Sequence, residues 1–188
     1  MTTSPDEALV AEVRGEFPRF RIVRKSESRF CRLIDVLLRV VTLGAQRKFL
    51  SHYHTVIGAT LYVPPDWDLR SWQEKVVTLR HERVHLRQFR KYGRVGMTLL
   101  YLLPILPVGL AWGRARLEWE AYAETLRATA EVWGRERAAD PRLHDHIVRQ
   151  FTSGAYGWMW PFPAVVRRWI ANEIAEQTAP PGTARDGS

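Results

Sequence analysis

The pentapeptide His81-Glu82-Arg83-Val84-His85 constrains this chain more than any other stretch. Two imidazoles can aim at one metal ion when their residues lie one turn apart on a helix, so the segment must be helical with one face left open. Glu82 follows His81 and points partly aside, where its carboxylate can hold a metal-bound water as general base instead of ligating. The plainer reading is a pair of surface histidines among arginines. It is weakened because the chain also offers a helix and a third ligand.

The helix is predicted from about Ser71 to Tyr92, with Ser71 and Glu74 matching a capping box and Gly93 as its stop. A catalytic zinc ion takes three protein ligands plus water. The one cysteine, Cys31, excludes an internal disulfide and a Cys-rich site, so the third ligand must be His, Asp or Glu. The predicted helix from Arg114 to Trp133 offers Glu118 and Glu120. Glu120 shares its stripe with Arg116, Glu124, Arg127 and Glu131, alternating charges that suit a solvated face. Glu118 shares its stripe with Ala121, Tyr122, Thr125 and Thr129, which suit an enclosed site. Glu118, 33 residues past His85, is therefore the chosen ligand. The plainer alternative pairs it with Arg114 one turn earlier.

Before the motif, Phe20 to Arg24 reads as a strand, and Phe49 to Val63 as two strands around Gly58-Ala59, with His52 and His54 on one side of the first. Ser28 to Leu43 has the spacing of an amphipathic helix whose apolar face suits the core. Val95 to Trp112 is uncharged and close to the length that spans a bilayer. A single crossing would put His85 and Glu118 on opposite sides, and one ion cannot be held across a membrane. Pro104 and Pro107 instead break the run into two apolar segments that turn back, as a buried hairpin or a shallow dip into lipid. The aromatic run Tyr156 to Pro163 needs cover from protein, partner or lipid.

The net charge is +8, mostly from arginine, which favours anionic partners: an anionic membrane surface at the periphery, or nucleic acid, although no nucleic-acid motif is present. The first residues lack the basic start and apolar core of a signal peptide, so a cytoplasmic location is expected.

The motif together with Glu118-Trp119-Glu120-Ala121-Tyr122 resembles the gluzincin metallopeptidases, especially compact minigluzincins, in which a second helix carries Glu-x-x-x-Asp. The resemblance implies an α+β, zincin-like fold: a small sheet packed on the motif helix, a second ligand-bearing helix, and the apolar hairpin between them. Length and composition favour one domain over residues 1–177, with 178–188 as a disordered tail. The implied activity is peptide-bond hydrolysis, with His81, His85 and Glu118 on Zn2+ and Glu82 as general base. Protein or peptide is the implied substrate, aligned along an edge strand that Tyr53 to Val63 is placed to supply. Tyr156, Tyr122 and His54 are candidate donors to the developing oxyanion. Tyr122 stands where the family has Asp, so the usual orienting partner of a ligand histidine is missing or comes from elsewhere. The competing expectation is an inactive zincin-like binding module of a phage or bacterial assembly.

Overall fold

A computed structural model describes residues 3–28, 54–102, 111–153 and 159–178. The predicted helix at Ser28 to Leu43, His52, Tyr156 and the tail beyond Thr178 lie outside them. The protein is α+β, with helices predominating and one small sheet. It forms two compact units, residues 1–99 and 100–188.

The first unit opens with α1 (Pro5–Glu16), where proline occupies the first turn and the Glu7 carboxylate accepts from the Ser4 amide at 3.2 Å. The cap is thus Ser4. Strand β1 (Arg21–Arg24) follows, then β2 (Thr55–Ile57) and β3 (Thr60–Val63). Gly58 at φ 61° turns β2 into β3 through a two-residue connection, a conformation that glycine adopts without steric cost. β3 is the central strand, parallel to β1 and antiparallel to β2. Its alternation buries Leu61 and Val63 while Thr60 and Tyr62 stay partly exposed. Among the described residues, the strand with a free backbone edge in the Tyr53 to Val63 segment is β2, since β3 is paired on both sides.

α2 (Trp72–Leu102) begins at a full capping box: the Ser71 amide donates to Glu74 at 2.9 Å, and the Glu74 amide to the Ser71 hydroxyl at 3.3 Å. Gly93, at φ 66° and ψ 178°, interrupts it at the predicted stop, and helix resumes beyond. Past this kink Met97 is buried, whereas Val95 and Leu99 are 74% and 50% exposed. Residues 95 and 99 lie one turn apart and 97 lies opposite, so a segment with one covered face cannot bury all three. Of the two expectations for the apolar run, a buried hairpin or a shallow dip into lipid, burial fails at Val95 and Leu99 and again at Trp112, which is 54% exposed.

The second unit holds α3 (Trp112–Trp133), the short α4 (Arg135–Ala138), α5 (Pro141–Thr152) and α6 (Pro163–Thr178). Its core is built from Ala115, Leu126, Ile147, Phe151, Met159 and Ile170, with Trp119, Tyr122 and Trp169 packed against it. Met159 anchors the aromatic segment by accepting from the Ala111 amide at 3.1 Å. Trp160 stacks at 6.1 Å on Trp169, and Phe162 remains 46% exposed.

The ends of the apolar run meet in this unit. The Arg114 guanidinium donates to the Tyr101 carbonyl at 3.1 and 2.7 Å, and a Cβ on Gly113 would fall 2.8 Å from the Leu100 carbonyl oxygen. The chain is therefore back beside Leu100 and Tyr101 by Gly113 and Arg114. Among the described residues, no helix is long and apolar enough to cross a membrane.

Gly113→Ala must push the start of α3 off Leu100 and should lower the thermal midpoint, at a cost of about 1–3 kcal/mol. Gly15→Ala in α1, with nothing within 4 Å of its Cβ, should hold or raise it. Circular dichroism melts of both variants check this, and an unshifted Gly113→Ala midpoint would show that the two helix ends do not press together.

Candidate metal centre

At about 100° per residue, His81, His85 and Gln88 of α2 fall on one face, while Arg83, Arg87 and Arg90 fall on the opposite one. The arginine face is clamped to α1. Glu16 accepts from Arg83 and Arg87 at 2.8 Å and from Arg90 at 3.0 Å, and Arg90 also lies 4.8 Å over the Phe17 ring. The hydrogen bond from Arg87 is the largest influence on the Glu16 carboxyl and helps hold its pKa at about 2, against the smaller opposing cost of burial. The histidine face is turned the other way. The His81 and His85 rings sit edge to face with centroids 5.0 Å apart, as expected one turn apart. His85 and Glu82 are buried at 9% and 7% exposure, and His81 is half-buried. Gln88, also buried, places Oε1 2.9 Å from His85 Nδ1.

On α3, Glu118 is buried. Along its stripe Ala121 and Thr129 are buried too, and the Thr125 and Thr129 hydroxyls donate to carbonyls one turn back, at 3.1 and 2.7 Å. Those polar groups are satisfied within the helix, which leaves Glu118 as the one carboxylate of the stripe. The Tyr101 hydroxyl donates to Glu118 Oε1. Arg114 holds Tyr101 through its carbonyl and lies 4.9 Å over its ring. Glu120 takes the other face and pairs with Arg116 at 3.3 Å, and Glu124 pairs with Arg127 at 3.6 Å.

One ligand-capable atom from each of His81, His85 and Glu118 lies within 4.8 Å of the other two. Ligands of a tetrahedral ion at ~2.0–2.1 Å stand about 3.4 Å apart, so small side-chain rotations close the set. Two neutral imidazoles and one carboxylate, largely shielded from water, fit a divalent cation by charge and by donor type. Neither Glu120 nor His54 belongs to this group.

His54 has a different setting. Its Nε2 lies 3.1 Å from Arg70 Nη1, and its ring meets Trp67 edge-on at 5.5 Å. Arginine can only donate, so Nε2 accepts and the ring proton sits on Nδ1. Burial above all, then the positive charges of Arg70 and Lys25, pushes its pKa down to about 4. The Tyr122 ring packs 5.7 Å from Phe151 in the second unit's core. Tyr101 was not anticipated, because it sits in a run that reads as uncharged and mostly apolar; its phenol, one of two hydroxyls in that run with Thr98, is the signal that could have marked it.

His54 stays neutral in the folded protein down to about pH 4, whereas in the unfolded chain it takes a proton near 6.5. Its contribution to stability is full above about 6.5 and is lost as pH falls towards about 4. His54→Gln should flatten that part of the pH dependence of the unfolding midpoint, and superimposable wild-type and variant profiles would contradict the assignment. In comparisons with known proteins, the chain matches no family model, no curated protein and no solved structure.

Proposed function

We propose that this chain is a zinc-dependent hydrolase of peptide bonds, with His81, His85 and Glu118 as the metal ligands and Glu82 as general base. The observation that carries the reading is the convergence of those three ligand atoms within 4.8 Å of one another, with His81 and His85 on the helix that also buries Glu82 and Glu118 on α3. Zinc at these ligands would lower the pKa of a water and polarise a peptide carbonyl. Glu82 takes a proton from the attacking water as its oxygen adds to the carbonyl carbon. The same carboxyl returns the proton to the amide nitrogen as the C–N bond breaks, leaving a carboxylate and an amine. The backbone edge of β2 offers an extended peptide a strand to pair with.

Glu82→Gln should retain zinc and lose at least about 100-fold in peptide hydrolysis, since a general base contributes 10²–10⁴-fold. Glu118→Gln should sharply lower zinc content, and Glu120→Gln should leave it unchanged. Metal analysis of the purified proteins beside a peptide-cleavage assay checks both. Undiminished cleavage by Glu82→Gln would end the enzymatic reading, and a Glu120→Gln protein that loses zinc while Glu118→Gln keeps it would overturn the ligand assignment.

A second reading concerns where this enzyme works. Residues 83–117 contain no Asp or Glu, and the exposed Val95 and Leu99 follow the exposed cations Lys91 and Arg94. Cations beside projecting apolar side chains suit an anionic lipid surface, which takes up charge and apolar area together. Co-sedimentation with phosphatidylserine vesicles should therefore weaken in high salt and in a Val95→Ser/Leu99→Ser variant. Binding that ignores both, or retention on DNA in place of vesicles, would refute it.

A further inference from the structure

We infer that Gln88 and Tyr101 are positioning residues that preset His85 and Glu118 for the metal before it arrives, an inference that rests on the metal reading above. A histidine ligates through one ring nitrogen, and the hydrogen bond made by the other decides which. Nδ1 of His85 is 2.9 Å from Gln88 Oε1. An amide oxygen only accepts, so Nδ1 carries the proton and Nε2 is the unprotonated nitrogen, the one that can ligate. Both side chains are buried, at 9% and 3% exposure, so water competes little for the bond. Gln88 lies three residues beyond His85 on the same helix, and one rigid element therefore fixes both partners.

Glu118 is held in a parallel way. Its Oε1 accepts from the Tyr101 hydroxyl, which fixes the carboxylate and so sets the oxygen that would ligate. Tyr101 is itself fixed at two points by Arg114, through its carbonyl at 2.7 Å and under its ring at 4.9 Å. In a run otherwise made of apolar side chains and glycine or proline, with the Thr98 hydroxyl exposed, a hydroxyl aimed at a buried carboxylate has a specific use. The two contacts mean that folding, and not metal uptake, supplies most of the ordering of these two ligands.

The test uses the full chain. Long-range proton–nitrogen correlation on the metal-free protein should show His85 with Nδ1 protonated and Nε2 bare; the reverse tautomer would overturn the role of Gln88. Zinc competition against a chromogenic chelator should show Gln88→Leu and Tyr101→Phe each binding about 10–100-fold more weakly than wild type. Their metal-free thermal midpoints should remain close to wild type. Gln88→Glu, which keeps an acceptor at the same reach, should recover most of the affinity, as a purely structural role for Gln88 would not require. Wild-type affinity in Gln88→Leu and Tyr101→Phe would overturn the inference and leave the metal reading standing. A wild-type chain that takes up no zinc would end both.

Discussion

The rotation of α2 about its own axis decides what this protein can do. A helix carrying two histidines that could hold a metal ion serves that end only if their face is held in one direction, and the residues that hold it cannot share the face. Glu16 meets this requirement from the far side. One carboxylate receives three arginines spaced along two turns, and the ion pairs are tight enough to keep it charged to about pH 2. Exposed ion pairs contribute little one at a time, but three converging on one largely covered carboxylate fix an angle as well as a distance. The capping box at Ser71 fixes where α2 begins, and Glu16 fixes how it is turned.

The second unit solves a different problem, which is to keep a buried glutamate in a set orientation within an apolar setting. Gly113 lets the start of α3 approach the Leu100 backbone more closely than any side chain would allow. Arg114 then bridges to Tyr101, and Tyr101 reaches Glu118, so a glycine, an arginine and a tyrosine act in series to orient one carboxylate. Arginine suits the middle place because its planar head donates to a carbonyl and lies against a ring at once.

Much of this was legible in the sequence where a local rule had no competitor. Ser71 with Glu74, Gly58 and Gly93 each mark a boundary through backbone geometry alone, and the structure has a boundary at each. The placing of Glu120 followed from alternating charge along a helix face, and its partner is indeed Arg116. What could not be read depended on pairs far apart in the chain. Arg114 was weighed only against Glu118, one turn away, because its link to Tyr101 exists only once the chain has doubled back. The three arginines facing Glu16 read as undirected positive charge until α1 is laid beside them. Val95 and Leu99 show the converse error, since hydrophobicity was taken to mean burial where one helix turn has two sides.

The sheet bears on how the chain acquires its fold in time. β1 finds its parallel partner 39 residues later, at the register Arg21 to Thr60, and β3 is made only after β2 has turned at Gly58. Its closure therefore brings together strands far apart in sequence before pairing rewards it, whereas the pairings within a helix are local. Folding of the first unit should be the slower event, and during synthesis β1 must wait with an open edge until β3 has emerged. The sheet's dependence on late residues makes the order of assembly a property of its strand order, independent of the chemistry that the finished helices carry.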